Sequence, residues 1–202
     1  PVRVLANRSS GKQGYALAQA ALDRGAAVTL ISGPTGLTTP QGARRIDVET
    51  ASALQQATLA EAGKADVLIM AAAVADFRPA TVSGDKIKRG SGGLTLKLEP
   101  TEDILRAVGE AKRKGGRPSV VVGFAAESRD LIANAGAKRI AKGVSLMVAN
   151  DITAPGAGFG VDTNRVTLIG ADGAPQDLPL LSKAAVAEVV LDRVVDLLSK
   201  VS

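Results

Sequence analysis

The run Asp66-Val67-Leu68-Ile69-Met70-Ala71-Ala72-Ala73 is apolar at every position after the aspartate. A strand with one wet face alternates polar and apolar side chains. A strand without that alternation is covered on both faces, which is the habit of parallel sheets with helices above and below. Pro118-Ser119-Val120-Val121-Val122-Gly123-Phe124 has the same character, and both runs read as buried strands. Aromatic residues make up only 2% of the chain against 46% hydrophobic residues, so the core is built from Ala, Val, Leu and Ile, which suits close helix-on-sheet packing.

The rest of the chain alternates in the same way. Strands are predicted at 2–6, 27–32, 44–48, 145–149 and 164–169. Helices are predicted at about 15–24, 51–62, 102–114, 129–142 and 183–198. Strands regularly separated by helices give a doubly wound, mostly parallel, Rossmann-like α/β sheet. The first strand is expected at its centre. The 202 residues suffice for one such domain, and neither an internal repeat nor a dividing linker is visible.

The opening is a strand (Val2–Ala6), a polar loop (Asn7–Gly14) and a helix. Such a junction holds anions, because first-turn N–H groups and the helix dipole face the loop. Ser9, Ser10, Gly11 and Gly14 form the expected phosphate loop. It is not a Walker loop: Ala6 stands where that motif needs glycine, and Gln13 replaces its Ser or Thr. It also lacks the three spaced glycines of a dinucleotide fingerprint. A polar turn capping the helix fits the loop taken alone.

The chain has no cysteine and no histidine. That excludes a catalytic cysteine, a histidine base, a Ser-His-Asp triad and a structural zinc site. Chemistry here falls to Lys, Arg, Asp, Glu, Asn and backbone N–H groups, a set suited to phosphate and nucleotide reactions. Absence of cysteine fits a reducing cytoplasm, and no run of apolar residues is long enough to span a membrane. The net charge of +5 raises nucleic acid as a partner, but the cations are dispersed. With 1 Tyr, 3 Phe and no Trp there is no stacking platform, so a basic small-ligand pocket explains the charge better.

Residues 76–98 break the alternation. Asp76-Phe77-Arg78-Pro79 leads into the glycine-rich Ser83–Gly93, which has no helical period. This long segment leaves the carboxyl end of an apolar strand, the place where ligands bind in open α/β sheets. It reads as a flap, with a small hairpin ending at Leu94–Leu98. Three further loops, at 7–14, 123–127 and 150–152, leave the same sheet edge. Together they make a ligand crevice.

Asn7–Gly14, Ala71–Arg78, Lys86-Ile87-Lys88, Asp103-Ile104-Leu105, Val122–Glu127, Ala149-Asn150-Asp151 and Gly158-Phe159-Gly160 occur in an order that resembles the synthetase domain of bacterial phosphopantothenoylcysteine synthetase (phosphopantothenate–cysteine ligase). The resemblance covers nearly the whole chain. It implies a CTP-dependent ligase of coenzyme A biosynthesis. The carboxylate of 4′-phosphopantothenate attacks the α-phosphate of CTP, pyrophosphate leaves, and the amine of L-cysteine displaces CMP from the acyl-cytidylate.

By the same resemblance, Lys86 is the catalytic flap lysine and Asn7 donates its amide to the acyl oxygen. Asp76 accepts from the exocyclic amine of cytosine, beside the backbone of Met70, Ala71 and Ala72. Phe124, Lys138, Lys142, Glu102, Asp103, Ile104 and Leu105 complete the nucleotide site, although Glu99-Pro100-Thr101-Glu102 is less basic than the family pattern leads one to expect. Core packing is the plain alternative for Phe124, and solvation is the plain alternative for Lys138 and Lys142. The resemblance also implies Mg2+ with the triphosphate, a homodimer, and a decarboxylase domain fused upstream, with FMN confined to that domain. A chain opening at Pro1, before a strand, fits a piece of such a longer protein. The competing readings are a Rossmann-type NAD(P)-dependent reductase and a nonenzymatic nucleotide-binding module. The first predicts the missing glycine fingerprint, and the second leaves Lys86 and Lys88 without a purpose.

Overall fold

The computed structural model of the protein describes residues 5–7, 9–85, 94–114, 116–127, 130–158, 160–171 and 174–201. In chain order the elements are α1 (Lys12–Asp23), β1 (Thr29–Ser32), β2 (Arg44–Asp47), α2 (Ala51–Ala62), β3 (Val67–Met70), β4 (Phe77–Pro79) and β5 (Leu98–Pro100). They continue with α3 (Ile104–Arg113), β6 (Val120–Glu127), α4 (Leu131–Lys142), β7 (Leu146–Asp151), β8 (Thr163–Asn164) and β9 (Val166–Gly170). The chain closes with β10 (Gln176–Asp177), β11 (Leu181–Ser182) and α5 (Lys183–Ser199).

The main sheet has the order β10-β9-β7-β6-β3. β3, β6 and β7 run parallel, joined by helical crossovers. β9 is antiparallel to β7 and β10 to β9. The reversal follows from the connection: no helix lies between β7 and β9, so the chain returns beside the strand it has just left.

Successive residues of the central strands point to opposite layers. Val120, Val122, Leu146 and Val148 join Leu17 and Ala20 of α1 and Val186, Val190 and Val194 of α5 in one core. Val121, Met147 and Ala149 join Leu105 and Val108 of α3 and Ala135 of α4 in the other. A strand with a core on each face has no polar position to alternate, which is what its sequence shows. Two glycines permit the second core to close. A Cβ at Gly123 would stand 2.9 Å from Leu105 Cδ1, and one at Gly109 would stand 2.2 Å from the Lys142 backbone oxygen. At the amino edge, Lys112 Nζ donates to Ser119 O at 2.5 Å and Ser145 Oγ at 3.2 Å, tying α3 to both strands. Burial pushes its ammonium below the ordinary lysine range.

Several expectations need correction. The strand predicted at Val2–Ala6 lies mostly outside the described residues, and Leu5–Asn7 carry no strand pairing. β3 is half-buried at each of its four residues, not fully buried. Among the described strands it pairs with β6 alone. It ends at Met70, leaving Ala71–Ala73 as loop, whereas β6 runs three residues past the predicted Phe124 to Glu127. The small hairpin expected to end at Leu94–Leu98 is present as an antiparallel ribbon of β4 and β5 whose second strand is displaced to Leu98–Pro100, with Phe77 opposite Pro100 and Pro79 opposite Leu98. The leucine alternation marks extended chain, but Phe77–Pro79 fixes where pairing occurs. α1 starts at Lys12, a turn before the predicted Tyr15, because Gly11 takes φ 73° and caps it.

Candidate functional site

Because β3, β6 and β7 are parallel, their carboxyl ends share one edge, and the chain brings its polar loops there. Asn7 does not cap a helix. Its Nδ2 donates to Ala73 O at 3.3 Å and Val74 O at 3.0 Å, fastening the first loop to the chain leaving β3. Below it, an ideal Cβ at Gly14 would sit 4.0 Å from Ala71 Cβ, so α1 enters directly over that exit. On the far side, Thr101 Oγ1 donates to Ala75 O at 2.6 Å and Thr101 N to Asp76 O at 2.9 Å. The segment 71–76 is thus held from both flanks, by Asn7 on one side and Thr101 on the other.

The Ser9–Gly14 loop, expected to hold phosphate, follows Asn7 at the same edge. Gly11 N meets Ser9 Oγ at 3.4 Å and Lys12 N meets Ser10 Oγ at 3.5 Å, long contacts that a stronger acceptor displaces readily. Gln13 Nε2 donates to Lys183 O at 3.0 Å and its Oε1 accepts from Asn164 Nδ2 at 3.0 Å, which anchors the first turn of α1 to α5 and β8.

Lys138 and Lys142 are four residues apart on α4 and share a face. Both are paired, although Lys138 is also exposed to solvent and Lys142 is half-buried. Lys138 Nζ is 2.8 Å from Glu127 Oε1, and Lys142 Nζ is 3.3 Å from Asp103 Oδ2. Glu127 ends β6 with a side chain only 8% exposed, whereas that of Lys138 is 47% exposed. The carboxylate is inside and the ammonium reaches out over the edge. Asp103 is the N-cap of α3, one residue before the first turn where it was expected. Its Oδ1 accepts from Arg106 N at 3.1 Å, leaving Oδ2 for Lys142. One carboxylate therefore caps a helix and orients a lysine.

The remaining candidates divide clearly. Met70 lies on the α3–α4 side and Ala71 on the α1–α5 side of the edge, and Ala72, Asp76, Glu102 and Asp103 are exposed. Ile104 and Leu105 are 3% and 5% exposed. Their side chains belong to the core, so only their backbone can meet a ligand. Phe124 packs half-buried against the α1–α5 core. Lys86 and Phe159 lie outside the described residues. Sequence reasoning did not find Glu127 as the partner of Lys138, nor Thr101 as the clamp on residues 75 and 76. The spacing Glu127 to Lys138 carries no local signal, since it is set by how α4 crosses β6.

For magnesium, no group of three His, Cys, Asp or Glu side chains able to hold an ion is present among the described residues. These residues do not build a dedicated metal site. No helix among them is long and apolar enough to cross a membrane.

A three-layer, mostly parallel sheet with polar loops and the paired lysines of α4 at the carboxyl ends of its strands defines a doubly wound α/β protein, a class whose ligands bind at that edge. The particular family is that of the DNA/pantothenate metabolism flavoprotein C-terminal domain, to which the chain belongs: the family pattern matches residues 1–198. The chain is 47% identical over 195 residues to the coenzyme A biosynthesis bifunctional protein CoaBC of Bacillus subtilis (strain 168), covering 96% of this chain and 47% of that protein. It is 42% identical over 198 residues to a cysteine/cysteine sulfinic acid decarboxylase of an unknown prokaryotic organism, covering 98% of this chain and 54% of that protein. The chain thus spans about half the length of these curated relatives. The crystal structure of the C-terminal domain of a CoaBC protein superposes with a TM-score of 0.82 at 40% identity, covering 99% of this chain and 90% of that one.

Proposed function

We propose that this chain is a phosphopantothenate–cysteine ligase acting in coenzyme A biosynthesis, with CTP as the activating nucleotide. The observation that carries the reading is convergence. The motif residues Asn7, Ala71–Asp76, Asp103, Phe124, Lys138 and Lys142 come from five separate stretches of chain, and the described geometry gathers them along one sheet edge. Sequence identity to a protein named for coenzyme A biosynthesis supports the same assignment.

In this reading a carboxylate oxygen of 4′-phosphopantothenate attacks the α-phosphorus of CTP, and the bond to the bridging oxygen breaks to release pyrophosphate. The cysteine amine then attacks the acyl carbon, CMP leaves with the former carboxylate oxygen, and the amine loses a proton. Nucleotide activation supplies the leaving group, so no protein nucleophile is required. Lys138 and Lys142, fixed by Glu127 and Asp103, offer charge to the nucleotide, and Asp76 with the backbone of Met70–Ala72 offers the base its hydrogen-bonding edge. Lys86, from the flap, neutralises charge growing on the α-phosphate. Asn7 holds the 73–74 loop at rest. To donate to the acyl oxygen it exchanges one of those carbonyls for the substrate. Apolar Phe77, Leu94 and Leu96 on and beside the exposed ribbon suit a second copy of the chain, as a homodimer requires.

Pyrophosphate release with CTP, magnesium and 4′-phosphopantothenate, with and without cysteine, tests the reading. Release that depends on the pantothenate substrate and falls at least a hundredfold in Lys86→Gln is the expected result, in line with about 10² to 10³ for removal of one transition-state donor. Equal turnover with ATP would overturn the CTP assignment. Absence of release with either nucleotide would overturn the ligase for this chain.

A further inference from the structure

Residues 71–76 belong to no strand, yet four consecutive carbonyls in that segment are taken. Asn7 Nδ2 serves Ala73 O and Val74 O. Thr101 serves the next two, its hydroxyl donating to Ala75 O at 2.6 Å and its N–H to Asp76 O at 2.9 Å. The two Thr101 bonds differ in kind. Phe77 faces Pro100, so Asp76 faces Thr101, and the N–H bond extends the β4–β5 ladder by one pair. Four residues along, Ala80 N bonds Lys97 O at 2.9 Å. Pro100 and Pro79 then fall in the pairs between, where an antiparallel ladder asks for no backbone donor. The hydroxyl bond lies outside this ladder. A ribbon of the same register forms without it, so its purpose is not the ribbon.

Ala75 directly precedes Asp76, the carboxylate assigned above to the nucleotide base. Asp76 is exposed, so little packing directs its side chain, and its backbone must do so. Thr101 sets that backbone at two successive carbonyls. Thr101 is itself half-buried and stands two residues before Asp103, which caps α3 through Arg106 N and pairs with Lys142. The fixed end of the clamp is therefore a core helix. We propose that Thr101 is a specificity-determining positioning residue. By binding Ala75 O it holds the backbone that aims Asp76, and so sets the preference of the crevice for a base with an exocyclic amine, cytosine, over one with a carbonyl in its place, uracil. The inference rests on the assignment of Asp76 to the base. A carboxylate accepts from an amine and repels a carbonyl oxygen, so the discrimination depends on where that carboxylate stands. Without the clamp Asp76 still meets the nucleotide but reads it less sharply.

Calorimetric titration with CTP and with UTP, in magnesium and without 4′-phosphopantothenate, tests this apart from turnover. The parent is expected to bind CTP more tightly than UTP. Thr101→Val keeps the branched shape and the N–H but loses the hydroxyl, and is expected to narrow that preference about tenfold, chiefly by weakening CTP. Thr101→Ser is expected to restore it. In an Asp76→Ala protein, Thr101→Val is expected to narrow the preference no further, because the two residues act as one unit. A merely structural part for Thr101 would lower the urea midpoint and the fraction of competent protein, and leave the ratio of the two affinities as it was. An unchanged ratio in Thr101→Val, no rescue by serine, a further loss in the Asp76→Ala background, or a parent that binds both nucleotides equally would overturn the proposal. Pyrophosphate release by the parent reports separately on the ligase. A parent without release whose CTP preference still narrows in Thr101→Val keeps the clamp and loses the ligase, whereas release with an unchanged ratio keeps the ligase and loses the clamp.

Discussion

Replacing Gly109 by alanine tests how the second core is closed. The added Cβ would meet Lys142 O at 2.2 Å and Lys142 C at 3.2 Å. Ordinary carbon–oxygen contact begins at roughly 3.3 Å, so α3 and the end of α4 must part by about 1 Å. The obstacle is backbone, and no rotamer relieves it. Overpacking of this kind costs about 1–3 kcal/mol, and the helix preference of alanine over glycine returns about 1 kcal/mol. With the contact at the severe end of that range, the net loss is about 2 kcal/mol, or roughly 4–8 °C in Tm for a chain of this size. Gly136, also in a helix, is the control. Nothing lies within 4 Å of its ideal Cβ, so Gly136→Ala is expected to raise Tm by about 2–4 °C through helix preference alone. Thermal unfolding followed by circular dichroism reads both. The crossing of α3 and α4 carries the Asp103–Lys142 pair, so Gly109→Ala is also expected to raise KM for the nucleotide below the unfolding range. A Gly109→Ala protein as stable as the parent would refute the close approach and the packing argument built on it.

Two further changes probe the electrostatics. Lys138→Met leaves the Glu127 carboxylate, 8% exposed, without its cation. Allowing for the exposure of the lysine, the expected loss is about 1–2 kcal/mol, and Lys138→Met with Glu127→Gln is expected to recover most of it in urea denaturation; no recovery would show that the pair is not coupled. Asp151 is held below the ordinary carboxylate range, first by the Thr153 hydroxyl and then by the Thr153 N–H. A depressed folded value contributes stability that is present above about pH 3.9 and is lost as pH falls through the folded value. Thr153→Val removes the hydroxyl and is expected to lower the urea midpoint near pH 7 while leaving it little changed at the acid limit, so the fall between about pH 4 and that limit is flattened; a profile identical to the parent would remove Asp151 from the acid response.

The fold was legible where the signal is local. Strands with a core on each face are apolar throughout, so β6 and β7 could be placed from composition and run length. α5 starts at the predicted Lys183 because Ser182 caps it through Ala185 N at 3.1 Å, a local device. The reversal at β9 was not legible, because orientation depends on what joins two strands, and the link 152–165 shows only that it lacks a helical period. The site divides in the same way. The polar first loop could be placed before a helix from its residue types, but that Asn7 would reach the carbonyls of Ala73 and Val74 could not be read from them. Ile104 and Leu105 could be located but not given a role, since whether a residue offers its side chain or its backbone depends on which face of α3 is turned inward. Lys138 and Lys142 could be seen to share a face, but their partners could not be seen. Glu127 and Asp103 reach them across packing between elements, which spacing along the chain does not encode.

Those partners alter how the crevice receives a polyanion. Two bare lysines would bind phosphates as surface cations do, by charge alone. Here each ammonium already faces a carboxylate. Glu127 cannot follow Lys138 outward, because it terminates a core strand, and Asp103 cannot leave Arg106 N without uncapping α3. If a phosphate drew Lys138 away, it would leave a buried carboxylate beside a new negative charge, at a cost that offsets the attraction between phosphate and ammonium. The arrangement favours bridging over exchange. An ammonium has three donors, and Lys138 needs one for Glu127, leaving the others for the ligand. The carboxylates thus act as fixed posts that set where the charges stand and trim the attraction for phosphate. The proposed ligase would benefit from this, since in that reading pyrophosphate and CMP depart after each cycle. It follows that Glu127→Gln tightens product binding while lowering the precision with which Lys138 is placed, so KM for the nucleotide falls and kcat falls with it.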